Sequence, residues 1–143
     1  MTETRLRMLD AAARVLMAAL FVYSGLGKLM DPGAIANRLA GVGFPLPAVA
    51  AHVAIAIELG AAATLVAGYR LLATTATLAV YTVMATLLFH QFWMFEGAQR
   101  VGQTHQFLKN ACILAGLWHI ARLALMRTGA TEPAGGAVAA GMR

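Results

Sequence analysis

The sequence is poor in charged residues and in cysteine. Only 12% of its 143 residues are Asp, Glu, Lys or Arg, against about 25% in a typical soluble domain. A single cysteine, Cys112, cannot form an intrachain disulfide or a Cys-x-x-Cys redox pair. With 60% hydrophobic residues, the chain fits neither a soluble globular domain nor a disordered one, because a folded chain of this length leaves about a third of its surface in water.

Common catalytic and cofactor motifs are also missing. The chain contains no HExxH, no Walker A and no GxGxxG pattern. Its histidines never occur three or four residues apart, which is the simplest signature of a metal or haem site on one helix. We therefore predict no metal and no haem, and a site built across helices from His52, His90 and His105 is the weaker alternative. The basic residues are scattered, so the net charge of +5 favours contact with anionic membrane lipids over contact with nucleic acid.

Long apolar runs occupy most of the chain instead. Each has about 20 residues, the length of helix that crosses roughly 30 Å of hydrocarbon. Transmembrane β-strands would need shorter segments of alternating polarity. The sequence therefore predicts an all-α transmembrane four-helix bundle in the bacterial cytoplasmic (inner) membrane. The four runs lie at about residues 11–30, 48–68, 71–92 and 107–126, so the membrane domain covers residues 11–126.

The segments around the runs complete the predicted organisation. Residues 1–10 form a cytoplasmic N-terminal segment, and residues 127–143, rich in Gly and Ala, form a flexible cytoplasmic tail. A Pro-Gly pair breaks the chain after the first run, and residues 34–40 are expected to form a short helix at the membrane interface. Residues 93–105 are expected to form a polar loop.

The distribution of basic residues predicts the orientation. Four spans put both termini on the same side of the membrane, together with the turn between the second and third runs. That side carries most of the Lys and Arg residues, so the positive-inside rule places both termini in the cytoplasm. The residues on that side are Arg5, Arg7, Arg14, Arg70, Arg122, Arg127 and Arg143.

A few polar side chains lie within or at the ends of the apolar runs. Glu58 is about ten residues into the second run, close to mid-membrane, where a charge costs about 2.5–3.5 kcal/mol on insertion scales. Such residues usually face the bundle interior and have partners there. The others fall near one depth, in the outer half of the predicted bundle: Lys28, His90, Gln106, Lys109 and Asn110.

Together these side chains predict a polar pocket that opens to the non-cytoplasmic side, with Glu58 at its floor. Glu58 should lie about 12–15 Å below the outer end of its helix at 1.5 Å per residue, whereas Lys28 lies near that end. A direct contact needs a lysine that reaches downward or a later start of the second helix; a water molecule is the other link. A purely structural role for Glu58 and lysines extended to lipid headgroups are the competing interpretations.

The order and spacing of several short motifs resemble the DoxX-like family of small four-span membrane proteins. The resemblance runs from about Arg14 to Arg122. No single piece is specific, whereas the ordered set is. The matching pieces are Ser24-Gly25-Leu26-Gly27-Lys28 with Asp31-Pro32, Gly43-Phe44-Pro45, Glu58-Leu59-Gly60, Gly68-Tyr69-Arg70, His90, and Phe107-Leu108-Lys109-Asn110 with Gly116.

This resemblance implies a quinone-linked function. The name-giving members of the family are similar to subunits of a thiosulfate:quinone oxidoreductase, so quinone is the expected cofactor and a redox protein the expected partner. In this hypothesis Glu58 and His90 are the catalytic residues: Lys109 or His90 donates a hydrogen bond to a quinone carbonyl, and Glu58 accepts or relays a proton. The expected cofactor-binding residues are Lys28, Gln106, Lys109 and Asn110.

Two further functions fit the same residues. The protein is then either a non-enzymatic membrane anchor for partner proteins or a small permeation protein for an anion or weak acid, with Lys28 and Lys109 as the attracting charges. Small residues on the second run, Ala56, Gly60 and Thr64, suit a homodimer contact as well as packing within one chain. The sequence does not decide between an enzyme subunit and these alternatives.

Overall fold

The computed structural model describes residues 2–129, and helices make up most of that range. Among these residues there is no β-strand, so the all-α prediction is confirmed. A short 3-10 turn, Phe92–Met94, precedes the last helix. The five α-helices are α1 (Glu3–Met30), α2 (Pro32–Gly41), α3 (Pro47–Ala67), α4 (Leu71–Phe89) and α5 (Gly97–Gly129).

Three of these helices are long and apolar enough to cross a membrane by length and composition. They are α1, α3 and the segment of α4 continued to Met94. Within the described residues α5 is not one of them, because polar side chains such as Lys109, Asn110 and Arg122 interrupt its apolar run. The fourth span over residues 107–126 and the cytoplasmic placement of the termini therefore stay predictions.

The four long helices pack as a bundle in which α1 contacts α3, α3 contacts α4, and α4 contacts α5. α5 also contacts α1, which closes the bundle around one core. Large apolar side chains such as Leu16, Tyr23 and Trp118 are exposed on its outside, a surface that suits lipid and not water. The core residues include Phe21 of α1, Ala62 and Leu65 of α3, Leu78 of α4, and Ile113 and Leu117 of α5.

The short helix expected over residues 34–40 is present as α2. Its start is fixed by Asp31, whose side chain accepts a hydrogen bond from the backbone N–H of Ala34 at 3.0 Å, and by Pro32 at the first helical position. Ile35 and Leu39 on one face are buried and form a small second core with α3. α2 therefore packs against the bundle, mainly against α3, as an accessory helix.

A tight turn joins α3 to α4. Gly68 ends α3 in the left-handed conformation, with φ of 70°, which glycine adopts without steric cost. Its N–H donates to the carbonyl of Leu65 at 3.2 Å, and the N–H of Tyr69 donates to the carbonyl of Thr64 at 3.0 Å, so the carbonyls at the end of α3 are satisfied. The turn makes α3 and α4 antiparallel neighbours.

Two helix starts differ from the expected positions. α1 begins at Glu3 and not near residue 11, and α5 begins at Gly97, so most of the polar loop expected over residues 93–105 is helical. A helix that extends beyond the hydrocarbon needs no apolar residues, and apolar runs therefore underestimate its length. Residues 130–143, most of the expected flexible tail, lie outside the described residues.

Candidate functional site

Glu58 is buried where α3 meets α1 and α4, with only 3% of its surface exposed. The other buried residues of α3 are Ala51, Ile55, Ala62 and Leu65, which places Glu58 within a single inward stripe at helical spacing. Since the rest of this stripe is apolar, the carboxylate has to find its hydrogen-bond partners on other helices.

Three side chains from two neighbouring helices surround the carboxylate of Glu58. Lys28 Nζ of α1 lies 2.9 Å from both Oε1 and Oε2. The hydroxyls of Ser24 of α1 and Tyr81 of α4 both donate to Oε1, at 3.0 Å and 2.8 Å. Lys28 Nζ also donates to Ser24 Oγ at 2.5 Å. These four residues, Ser24, Lys28, Glu58 and Tyr81, are called the Glu58 network below.

The Ser-Gly-x-Gly-Lys motif explains how α1 reaches the carboxylate. Ser24 and Lys28 are four residues apart, so they share one helix face. Gly25 lies between them and packs closely against α3, because a Cβ there would be 2.7 Å from Leu59 Cδ2 and 3.3 Å from Glu58 Cβ. The contact between Lys28 and Glu58, which the sequence left open, is therefore direct.

The Glu58 network balances its own charge. The Lys28 side chain is 20% exposed and that of Glu58 is 3% exposed, so the ammonium lies toward the surface and the carboxylate lies inside. Glu58 Oε1 accepts three hydrogen bonds and Oε2 accepts one. A buried ion pair needs such additional hydrogen bonds to offset the cost of removing both charges from water.

Tyr81 was missed in the sequence analysis. It lies within the apolar run of α4, and only its hydroxyl distinguished it from the surrounding core residues. A signal was nevertheless present, because a phenol hydroxyl in an apolar environment usually has a hydrogen-bond partner. The structure supplies that partner in Glu58, across the contact between α4 and α3.

A large apolar cavity lies beside Tyr81. It has a volume of about 700 Å³ and is lined by α2, α3, α4 and the connection between α2 and α3. Its walls include Leu39, Phe44, Ile57 and Met84, and its polar side chains are Thr77 and Tyr81. Tyr81 thus belongs both to the cavity wall and to the Glu58 network. We call this space the α2–α4 cavity.

A second group of polar side chains joins α4 to α5. Asn110 Nδ2 donates to Thr86 Oγ1 at 2.8 Å, and Thr86 in turn donates to the carbonyl of Thr82 at 2.6 Å. Just after the end of α4, His90 Nδ1 and Gln103 Oε1 are 2.9 Å apart. Asn110 and Thr86 are both buried, so this contact is internal but carries no formal charge.

The predicted site residues are therefore divided between two places. Lys28 and Glu58 form an ion pair, whereas His90 and Asn110 belong to the contact between α4 and α5. Gln106 and Lys109 are exposed on α5, and within residues 2–129 neither of them is hydrogen-bonded to the Glu58 network. The catalytic and cofactor-binding roles assigned to these residues from the sequence stay predictions.

No cluster suited to a metal ion occurs within the part of the chain that the structure describes. No group of three His, Cys, Asp or Glu side chains there could hold a metal. His52 is exposed and its Nδ1 lies 2.8 Å from the carbonyl of Ala48 in its own helix. The buried polar groups of the described residues are carboxylate, ammonium, guanidinium, hydroxyl and amide groups.

The fold and the comparisons with known proteins define the class and the family. An all-helical chain with three apolar helices of spanning length is an integral membrane protein. The sequence profile of the DoxX family matches residues 9–91, more than half of the chain, and the protein belongs to this family. No solved structure matches it significantly.

One relative among the curated proteins supports the same localisation. The chain is 27% identical, over 101 residues, to the inner membrane protein YphA of Escherichia coli (strain K12), and the match covers 71% of this chain and 72% of that protein. The protein is accordingly an integral protein of the inner membrane. The Glu58 network lies wholly inside the segment that matches the family, whereas Gln106, Lys109 and Asn110 lie beyond it.

Proposed function

We propose that the protein is a quinone-binding subunit of a membrane redox system, and that the quinone ring lies in the α2–α4 cavity. The observation that carries the proposal is Tyr81, which lines this cavity and donates a hydrogen bond to Glu58. A cavity of about 700 Å³ falls within the usual range of roughly 300–1,000 Å³ for small-molecule sites, which are mostly apolar with a few polar groups that orient the ligand.

The chain's own residues offer a route for a proton between the cavity and Glu58. The phenol oxygen of Tyr81 can accept a hydrogen bond from a quinol hydroxyl while its own O–H donates to Glu58 Oε1, because a tyrosine hydroxyl is both donor and acceptor. Proton transfer along such a chain is general acid–base chemistry. Lys28 and Ser24 hold the carboxylate in place, and the Lys28 ammonium compensates its charge.

The bound ligand changes between quinol and quinone, and it exchanges the electrons of this change with a partner protein. In this proposal Tyr81 contacts the ring as an acceptor from the quinol hydroxyl, because it is Tyr81 that meets both the cavity and Glu58. The sequence analysis instead placed Lys109 or His90 at the ring, as the donor to a quinone carbonyl. The assignment to Lys109 or His90 is the competing version, and one experiment separates the two.

A short-chain benzoquinol is titrated into the purified protein in lipid nanodiscs, and binding is measured by calorimetry. We expect Tyr81→Phe to weaken binding about 10-fold, because a hydrogen bond of about 1–1.5 kcal/mol is lost. Lys109→Ala is the matched control and should bind like the wild type. Unchanged binding in Tyr81→Phe, or a loss confined to Lys109→Ala, would contradict the proposed location.

A non-enzymatic anchor is the second candidate, and one observation favours it. The Glu58 network satisfies its charge and hydrogen bonds within the chain, as a purely structural element would. An anchor should capture the same partner in cross-linking experiments with wild-type protein and with Tyr81→Phe, and neither should bind quinol. The permeation alternative gains no such support, because Lys28 is paired with Glu58 and Lys109 is exposed on α5.

A further inference from the structure

A smaller cavity lies at the other end of the bundle, beside the turn between α3 and α4. Its volume is about 240 Å³, well above the ~10–15 Å³ that a cavity needs to hold one water molecule. α1, the start of α4 and α5 form its walls. Most of the lining is apolar; the polar side chains in it are Asp10, Arg14, His119 and Arg127.

One guanidinium nitrogen of Arg14, a side chain of this cavity, is left without a hydrogen-bond partner among the described residues. This atom, Nε, is buried. The guanidinium is packed against the turn that ends α3: a Cβ at Gly68 would be 3.5 Å from Arg14 Nη2. This is an ordinary van der Waals distance, so the guanidinium lies directly against the end of α3.

The charges around the cavity leave it basic. Asp10, the acidic residue in the lining, forms an ion pair with Arg127, and His119 is the remaining ionisable side chain there. Lys28, further along α1, shows the opposite situation, because its ammonium lies within hydrogen-bond distance of a carboxylate. Arg14 is thus a basic side chain of α1 with a cavity in front of it and no acidic partner of its own in the described lining.

We propose that this cavity binds a phosphate group, with Arg14 as the principal ligand and His119 as a second donor. Arginine is well matched to phosphate because its planar guanidinium can donate two parallel hydrogen bonds. The cavity lies at the level where α3, an apolar helix of spanning length, ends at Gly68. That level is the boundary between hydrocarbon and headgroups, and basic pockets between membrane helices at this depth hold anionic lipid headgroups.

A lipid headgroup and free inorganic phosphate share this chemistry, and the experiment distinguishes them. Purified, delipidated protein is titrated with phosphatidylglycerol, followed by native mass spectrometry, and separately with inorganic phosphate, followed by calorimetry. Both titrations compare the wild type with Arg14→Gln and with Arg122→Gln, which removes an exposed arginine of α5 outside the cavity lining. Binding of either probe should weaken about 10-fold in Arg14→Gln and by less than about two-fold in Arg122→Gln, since the charge-assisted hydrogen bonds are lost only in the former.

A measurement on the wild type covers the case in which Arg14→Gln fails to fold. Phenylglyoxal modifies accessible arginines, and peptide mass spectrometry reports the rate at each one. The bound phosphate group should slow modification of Arg14 at least several-fold and leave Arg122 unchanged. Protection by phosphatidylglycerol alone identifies a lipid headgroup as the ligand, and protection by inorganic phosphate identifies a free anion. Equal effects on Arg14 and Arg122, or no effect of either probe, would overturn the proposal.

Discussion

Two of the polar contacts between helices of the bundle are built differently. Between α1, α3 and α4, the Glu58 network holds a carboxylate with an ammonium and two hydroxyls. Between α4 and α5, Asn110 and Thr86 form one buried hydrogen bond between neutral groups. Both contacts join helices inside an apolar bundle. Removing Lys28 from the first would leave the buried carboxylate of Glu58 without a counter-charge, whereas removing either partner of the second leaves no buried charge.

The two contacts differ in how much they cost the fold. A neutral hydrogen bond between membrane helices fixes their relative position at modest energy, about 0.6 kcal/mol on average. A buried ion pair can fix the position of two helices as well, but removing both charges from water costs free energy. Apolar residues of similar volume often give equal or greater stability. That an ion pair is present, and that one of its hydrogen-bond donors lines the α2–α4 cavity, favours a chemical role for the Glu58 network.

Among variants of the two contacts, we expect the largest loss of stability for Lys28→Met. This change leaves Glu58 buried without its counter-charge, and we expect a loss of about 3–5 kcal/mol in the free energy of unfolding. The measurement is reversible unfolding in mixed detergent micelles. Lys109→Met, an exposed lysine on α5, is the control and should change stability by no more than about 0.5 kcal/mol. Equal losses in the two variants would remove the distinction between the two contacts.

A smaller effect is expected when α1 is pushed away from α3. Gly25→Ala places a methyl group against Leu59 and Glu58, and we expect a loss of about 1–3 kcal/mol from overpacking. Gly27→Ala is the control, because a Cβ there has no heavy atom within 4 Å and alanine is the better helix former by about 1 kcal/mol. The same unfolding measurement applies, and a tolerated Gly25→Ala would show that the close approach is not needed.

The smallest effect belongs to the contact between α4 and α5. A double-mutant cycle of Thr86→Val and Asn110→Leu should give a coupling free energy of about 0.6 kcal/mol. The parallel cycle of Thr86→Val with Gln106→Leu should give a coupling near zero, since Gln106 is exposed. A coupling of several kcal/mol at Thr86 and Asn110 would mean that the neutral contact is energetically equivalent to the Glu58 network.

The sequence was sufficient for the fold class and for part of the site. In lipid the backbone N–H and C=O groups must be hydrogen-bonded within the chain, so an apolar run of spanning length is expected to be a helix. The apolar runs therefore predicted α1, α3 and α4. Glu58 could be identified as a site residue from the sequence, because a carboxylate in an apolar run needs hydrogen-bond partners from other helices. Its pairing with Lys28 depended on how closely α1 approaches α3 at Gly25, a tertiary distance that hydropathy does not encode.

Other features depended on helix rotation and packing. Lys109 and Asn110 are adjacent in sequence, yet Lys109 is exposed and Asn110 is buried, because neighbouring residues on a helix point in directions about 100° apart. The early start of α5 at Gly97 was missed because its first turns are polar. Tyr81 was overlooked because its aromatic ring fits an apolar run. Its hydroxyl reaches Glu58 through the packing of α4 against α3, which the sequence does not show.

Photo-cross-linking with a quinone analogue tests the central claim most directly, which is that the ligand meets the Glu58 network through Tyr81. A short-chain quinone with a photoreactive group is bound to the protein in nanodiscs, irradiated, and the labelled peptides are located by mass spectrometry. The account predicts labels on the walls of the α2–α4 cavity, at Ile57 of α3 and Met84 of α4, with labelling reduced in Tyr81→Phe. Labels concentrated on α5 around Lys109 would contradict it.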